Sequence, residues 1–394
     1  MSKNRNKKVA IIGRGTAGAL AALHFNKWAP QWDIDWYYDP HSPTQAVGEG
    51  ATLALPDNLY RSAGFTHSDL GRVEGTIKTG IHKTDWGCVG PFTHNFTPPS
   101  VSMHFNAKAL QSYLFKKLED KVNVFETRTS SHKDLDADFI MDCSGSPKSL
   151  GDEYLRAEYI AVNSVHVTQC YWSTPAFNYT IAAARPYGWV FLIPLNNRCS
   201  VGYMFNNNIN SLEEVTKDVQ NIFEEHNLIP SEDTQSFSFN NYYRRTNYTS
   251  RAAYSGNASF FLEPMEATSI GVMDKIQRTA YDIWNKNIPL DQANYSYTRQ
   301  ITEVQNVIML HYFAGSSFDT EFWDFAKERG KKAMENAATD PSFVSACANV
   351  REGFVRYPNL PAYGLWEPPS FLQNIQGLGV KEALKDMGIF PTAY

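Results

Sequence analysis

Short β-rich apolar runs alternate with amphipathic stretches early in the chain, and the pattern changes character twice after that. Lys8–Ile12 (Lys-Val-Ala-Ile-Ile) predicts a buried strand, and Ala19–Trp28 directly after it predicts a helix. A second strand is predicted over Ile34–Tyr38, a short helix over Pro56–Ala63, and an amphipathic helix over Ala107–Lys117. Asp138–Gly145 is another buried strand pattern ending in a small-residue turn. From Ile160 to Phe205 the pattern is all strand: Ile160–Val167, Tyr179–Ala184, Trp189–Pro194 and Cys199–Phe205. Turn residues separate these runs (Arg185-Pro186-Tyr187-Gly188, Asn196-Asn197), which predicts an inserted antiparallel sheet. Ser211–His226 reads as a helix and Phe237–Tyr248 as an aromatic strand. Helices follow over Gly271–Asn285 and Phe318–Ala338, then an irregular Pro-rich stretch over Pro358–Pro369 and a short closing helix from Val380. The fold class expected is mixed α/β (α+β): a parallel, Rossmann-type part, an inserted antiparallel sheet and a helical C-terminal region.

Composition narrows the classes of function. The 394 residues are 43% hydrophobic and 20% charged with a formal net charge of -5, an ordinary globular balance without the basic footprint of a nucleic-acid binder. Apolar runs fall short of a membrane span, and Val9–Ile12 is too short for a secretory core, so no membrane partner is expected. Cys88, Cys143, Cys170, Cys199 and Cys347 are odd in number and form no CxxC pair, which points to a reduced, cytoplasmic chain without zinc. A homo-oligomer is left open. Aromatic residues are abundant at 14%; most belong to a core, and lining a cleft for flat ligands is a second use open to them.

Four stretches and one acid carry candidate chemistry. Gly13-Arg14-Gly15-Thr16-Ala17-Gly18 is GxGxxG in strand–turn–helix context, where the glycines allow a tight turn and let backbone approach a pyrophosphate on the helix N-terminus. Asp39 ends the second strand, where an acid binds a ribose hydroxyl. The small segment Ala46–Thr52, with Gly48, Glu49, Gly50 and Ala51, either wraps the same cofactor or is a plain loop. Lys78 lies in a strand-like piece between Ile77 and Ile81. Facing outward it is an ordinary solvated lysine; facing inward it is desolvated, with its pKa lowered as a catalytic amine requires. In Gly256–Gly271, Pro264 bars a continuous helix and pre-sets the first turn of the one that follows. Backbone N–H groups around Glu266, Thr268 and Ser269 are then placed to receive an anion, the alternative being a simple capped helix start.

Together these stretches resemble the flavin-dependent halogenases of the tryptophan-halogenase type. The matching pieces are Gly13–Gly18, Val47–Thr52, Lys78-Thr79-Gly80-Ile81 with Trp86, Gly188-Trp189 with Ile193-Pro194, and Gly256-Asn257-Ala258 with Glu263-Pro264-Met265-Glu266-Ala267-Thr268. His311-Tyr312, Phe318-Asp319-Thr320 and Phe322-Trp323 resemble the family's later helix. The resemblance implies an FAD-binding domain of the flavin monooxygenase kind. It divides the chain into an FAD part at 1–160 and 251–285, an inserted β-rich substrate part at 161–250, and a helical part at 286–394 covering the substrate site. It also implies a reaction: FADH2 from a separate flavin reductase, with O2 and a halide ion, gives hypohalous acid. The acid travels to Lys78, which forms a haloamine or holds it by hydrogen bond, and a small aromatic substrate of indole, phenol or aniline type is halogenated. Glu266 becomes the catalytic carboxylate, Thr268 and Ser269 the halide site, and Trp189, Phe191 and Pro194 the tunnel and substrate wall.

The chain departs from the family pattern in places. The family's Trp-x-Trp-x-Ile-Pro is Trp189-Val190-Phe191-Leu192-Ile193-Pro194 here, and the tryptophan after the dinucleotide motif is Ala19. Phe191-x-x-Pro194 with Ser200-x-Gly202 resembles a looser pattern that includes a short phage-encoded type. The shorter chain implies a more open site and broader aromatic substrates. Two rival readings are a single-component FAD-dependent aromatic monooxygenase and a non-catalytic flavin-binding protein. The chain has no Asp-Gly dipeptide of the kind such monooxygenases carry in mid-chain, and neither rival uses Lys78 and Glu266.

Overall fold

Val9, Ala10 and Ile11 are withdrawn from water on both sides, as the unbroken apolar run requires of a strand inside a parallel sheet. The computed structural model describes residues 6–42, 48–129, 131–172 and 175–389. Its contacts divide the chain into two units: 1–75, 105–156 and 242–300 in the first, 76–104, 157–241 and 301–394 in the second.

The first unit is built on a five-stranded sheet in the order Ala252–Tyr254, Phe139–Asp142, Lys8–Ile12, Asp33–Tyr38, Asn123–Glu126. Every neighbouring pair is parallel. The first strand in sequence is central, and the chain leaves it through the helix Thr16–Trp28 to the strand beside it, a Rossmann-type arrangement. Helices Ala107–Leu118 and Ser269–Trp284 pack against Thr16–Trp28. A run of stacked rings closes one end of the sheet, with Trp284 on Phe139 at 4.8 Å and on Phe25 at 5.6 Å. A small antiparallel sheet, Phe260–Phe261, Tyr242–Arg244 and Tyr154–Arg156, completes this unit.

The second unit centres on a seven-stranded sheet in the order Ile229–Ser238, Ser164–Tyr171, Arg198–Phe205, Gly188–Pro194, Thr180–Arg185, Gly80–Thr84, Phe92–Asn95. Its pairs are antiparallel except Thr180–Arg185 with Gly80–Thr84. Helix Leu212–Glu225 sets Val215, Val219, Ile222 and Phe223 against Val190, Leu192, Val201 and Tyr203. A capping box, Ser211 with Glu214, starts that helix. Arg185 pairs with Asp218 at 2.7 Å beside it. Helices Glu321–Ala337, Pro341–Val350 and Pro368–Gly377 belong to the same unit, and Trp323 donates to the Arg185 carbonyl at 2.8 Å. Among the described residues no helix is long and apolar enough to cross a membrane.

The units fall differently from the boundaries expected on the resemblance. Segment 76–104 lies with the large sheet because Gly80–Thr84 pairs directly with Thr180–Arg185. The strand expected from Ile160 starts at Ser164, and the expected Phe237–Tyr248 strand is two separate pieces, the end of Ile229–Ser238 and Tyr242–Arg244. Helices Leu290–Ala314, Pro341–Val350 and Pro368–Gly377 fall in the helical C-terminal region expected from the sequence, although the pattern predicts no individual helix at these bounds. Pro368 and Pro369 look like breakers in sequence, yet Pro occupies the opening turn of Pro368–Gly377, where its missing N–H costs nothing.

Candidate active site

In the first unit the three motif glycines have three different jobs. Gly13 has φ +103, and a Cβ there would meet the Cys143 carbonyl oxygen at 2.2 Å. Its own carbonyl accepts the Trp36 indole N–H at 2.8 Å. A Cβ on Gly18 would lie 2.0 Å from that same Gly13 oxygen, so the helix can approach the strand only with glycine here. Around Gly15 nothing lies within 4 Å of a built Cβ. The turn is thus closed at its first and third glycines and open at the second, the arrangement that lets backbone approach a pyrophosphate. The first intrahelical bond runs from Ala19 N–H to the Gly15 carbonyl. The N–H groups of Thr16, Ala17 and Gly18 therefore precede the helical ladder and are available to an anion. The residues present fit a dinucleotide such as FAD.

Asp39 follows the Asp33–Tyr38 strand directly and stays half-exposed. It accepts from the His41 backbone N–H at 2.9 Å and from the Ser42 hydroxyl at 3.1 Å, and the His41 bond leads in holding its carboxyl below the usual range. Gly48 has φ +88 with open space around it, while Glu49 and Ala51 are buried and the Glu49 carbonyl accepts the Phe105 N–H. Ala46 and Val47 lie outside the described residues. Arg14, inside the motif, places its guanidinium 3.9 Å from the Phe115 ring centroid and 4.8 Å from that of Tyr38.

The Gly256 stretch belongs to the same unit and reaches the motif. Gly256 has φ +59, and a Cβ on it would come within 2.7 Å of the Ala17 Cβ. From there the chain passes through buried Glu263 and Met265 to buried Glu266. The Ala267 N–H closes a turn on the Pro264 carbonyl at 3.0 Å, with Ala267 itself left-handed at φ +53. The helix starts at Ser269, two residues before its sequence expectation, with buried Thr268 as N-cap. Its ladder opens with Val272 N–H to the Thr268 carbonyl. The N–H groups of Ser269, Ile270 and Gly271 have no intrahelical carbonyl to reach, so the first turn is receptive to an anion.

In the second unit Lys78 ends the three-residue strand Thr76–Lys78, paired with Ser102–His104. Side chains alternate across a strand, and the exposures follow: Ile77 is 39% exposed and Lys78 0%. The amine is turned inward, 5.8 Å from the ring centroid of Phe96. Two residues earlier, the Thr76 hydroxyl donates to the Pro194 carbonyl at 2.6 Å, which ties the Lys78 strand to the end of Gly188–Pro194. That strand carries buried Trp189 and half-buried Phe191, their rings 6.1 Å apart. Phe191 sits over Gly202 on the neighbouring strand.

Some residues of this region gave no sequence signal. Lys83 is a second fully buried lysine, hydrogen-bonded to Asn374 and 5.5 Å from the rings of Phe92 and Trp366. That amine anchors the Pro368–Gly377 helix to the sheet. The period-2 spacing of Ile81 and Lys83 is the one cue that could have flagged it. His104 and Phe96 are single residues in undistinguished runs. Among the described residues no cluster of His, Cys, Asp or Glu could hold a metal ion.

A family model described as tryptophan halogenase matches residues 8–123 and 114–382. The tryptophan 7-halogenase RebH of Lentzea aerocolonigenes is 23% identical over 420 residues, covering 82% of this chain and 79% of RebH. Among solved structures, Xcc4156, a flavin-dependent halogenase from Xanthomonas campestris, superposes with a TM-score of 0.78 at 19% identity, over 98% of this chain and 94% of that one. BrvH, a flavin-dependent halogenase from Brevundimonas sp. BAL3, gives 0.75 at 22% identity, over 98% and 93%. At these identities the superpositions speak to the fold.

Proposed function

The chain belongs to the tryptophan halogenase family of flavin-dependent enzymes, and from that membership we propose that it halogenates a small aromatic molecule through Lys78. FAD, when bound as FADH2 from a separate flavin reductase, supplies the chemistry that turns O2 and halide into hypohalous acid. Gly13, Gly15 and Gly18, with the N–H groups of Thr16 and Ala17, hold its pyrophosphate. Asp39 takes a ribose hydroxyl, and Gly48, Glu49, Gly50 and Ala51 wrap the cofactor. The backbone at Thr268 and Ser269 holds the halide on the first turn of the Ser269–Trp284 helix. Trp189, Phe191 and Pro194 line the way to Lys78.

At Lys78 the amine does the transfer. It displaces water from hypohalous acid to form an N–halogen bond, or keeps the intact acid by hydrogen bond. Both routes deliver halogen to a ring carbon of an indole, phenol or aniline, and the ring proton leaves as the carbon–halogen bond remains. Glu266 is the carboxylate assigned to polarise the electrophile or take that proton.

The single observation that carries this reading is the complete burial of Lys78 on a three-residue strand. A lysine there has no solvation to gain, and a reactive amine must be shielded from water. The test is an assay with FAD, a separate reductase, NADH and mixed halides over a panel of aromatics, read by mass spectrometry. Halogen mass shifts are expected. Hydroxylated products without halogen, together with NADH oxidation by the protein alone, would replace this reading with the monooxygenase.

A further inference from the structure

We propose that His104, fixed as its Nδ1–H tautomer between Thr76 and Thr180, is the positioning residue that sets where the Lys78 amine stands. The inference rests on the reading of Lys78 as the halogen-carrying amine.

The hydrogen-bond directions can be assigned one after another. A carbonyl only accepts, so the Thr76 hydroxyl spends its single hydrogen on Pro194 at 2.6 Å. Its oxygen must then accept from His104 Nδ1, 3.0 Å away, so Nδ1 carries a hydrogen. In a neutral ring Nε2 is left as the acceptor, and the Thr180 hydroxyl 2.9 Å from it is the donor. The ring is wholly buried; burial first, and the Lys78 charge second, hold its pKa well below the ordinary histidine value. One chain of donors therefore runs Thr180 to His104 to Thr76 to Pro194, with a single arrangement of protons.

This chain joins four strands. Thr180 and Pro194 belong to adjacent strands of the seven-stranded sheet, and Thr76 and His104 face each other in the short ladder that ends with Lys78 opposite Ser102. A two-stranded ladder of three residues a side is marginal alone. The imidazole and the two hydroxyls give it a fixed register on the sheet, close to the strand of Trp189 and Phe191. Serine or asparagine in place of the ring could not reach both threonines at once. A reacting group displaced by about 1 Å can lose on the order of a hundredfold in rate, so His104 acts through Lys78 without touching the reacting atoms.

Two experiments on the full chain test this. The first is 15N NMR of histidine-labelled wild-type protein. The pyridine-like nitrogen of His104 should be Nε2; a pyridine-like Nδ1 or a protonated ring would overturn the proposal. The second compares Thr180→Val with Thr180→Ser, using bromide, FAD with a separate reductase, and indole and phenol as acceptors. Brominated product and escaping hypobromous acid, trapped by a diffusing probe, are counted together. Thr180→Val should keep the sum of the two within about twofold, keep FAD affinity, and cut the product share about tenfold or more. Thr180→Ser, which restores the donor, should return the share to wild-type level. A Thr180→Val product share equal to wild type would also overturn the proposal. Failure of the Lys78 reading itself shows differently, as full halogenation by Lys78→Met whatever Thr180 does.

Discussion

The ring of Phe191 lies over Gly202 on the adjacent strand, so close that a Cβ built on Gly202 would meet the tip of the ring at 2.0 Å. The glycine is the seat of the ring: any side chain here would evict it. Phe191 stands where the family pattern has the second tryptophan of a pair, and here a smaller ring rests on a glycine floor.

Gly202→Ala should push Phe191 off its seat. Overpacking of this kind costs about 1–3 kcal/mol, and the displaced ring should change the ratio of halogenated product to escaped hypohalous acid. FAD affinity should hold. A variant with wild-type melting temperature and wild-type product ratio would show that the ring is not seated there.

The open and closed glycines of the dinucleotide turn differ in what substitution should do to stability. A Cβ at Gly15 meets nothing, so Gly15→Ala should leave the thermal midpoint within a degree or two, on the order expected for a strain-free surface change. It should nonetheless weaken FAD binding on the order of tenfold or more by blocking close approach of the pyrophosphate. Gly18→Ala meets the Gly13 oxygen at 2.0 Å and should destabilise the fold as well as lose the flavin. Fluorescence titration and calorimetry on the pair check this; a Gly15→Ala that binds FAD normally would remove Gly15 from the cofactor site.

Glu266→Gln keeps the shape of a buried side chain while replacing its carboxyl group with an amide. Turnover should fall by about 10²–10⁴, with FAD affinity and unfolding midpoint kept. Single-turnover kinetics with preformed FADH2 would measure it. Loss of folding in place of loss of turnover would make Glu266 a structural residue of the helix start.

The sequence was most legible where local chemistry and local structure coincide. GxGxxG after an apolar strand, the Pro264 helix start and the Gly188–Phe205 strands all announce themselves in a few consecutive residues. Ile229–Ser238 does not, because it is an edge strand with polar side chains on both faces and no alternation to detect. Leu290–Ala314 is rich in β-branched and aromatic residues that disfavour helix in isolation, and it is held by burial of Ile301, Val304, Val307 and Ile308. At Lys78 the residue could be singled out but its direction could not, since a three-residue strand is too short to show a period. His104 was illegible for a different reason: its partners Thr76, Thr180 and Pro194 are spread along more than a hundred residues and meet only in the sheet.

Acid should weaken the first unit through His24. The ring is buried on the Thr16–Trp28 helix, and burial, with the Arg278 charge in second place, lowers its pKa from 6.5 to about 3. Between those values the unfolded chain binds the proton and the folded chain does not. Stability from neutral His24 is therefore complete above pH 6.5 and is lost as pH falls toward 3, at up to about 1.4 kcal/mol per pH unit. Urea midpoints at pH 7.5 and pH 5 measure this, and the drop between them should be smaller in His24→Leu. An equal drop in both proteins would assign the acid sensitivity to other groups.

The most direct test of the account is Lys78→Met, which fills a fully buried position with an apolar side chain of similar length. Assayed with FADH2, O2 and bromide, it should fold, bind FAD as the wild type does, and still release hypobromous acid. Halogenated aromatic product should drop by at least about a hundredfold. Product formed at the wild-type rate by Lys78→Met would contradict the central claim and remove the lysine from the chemistry.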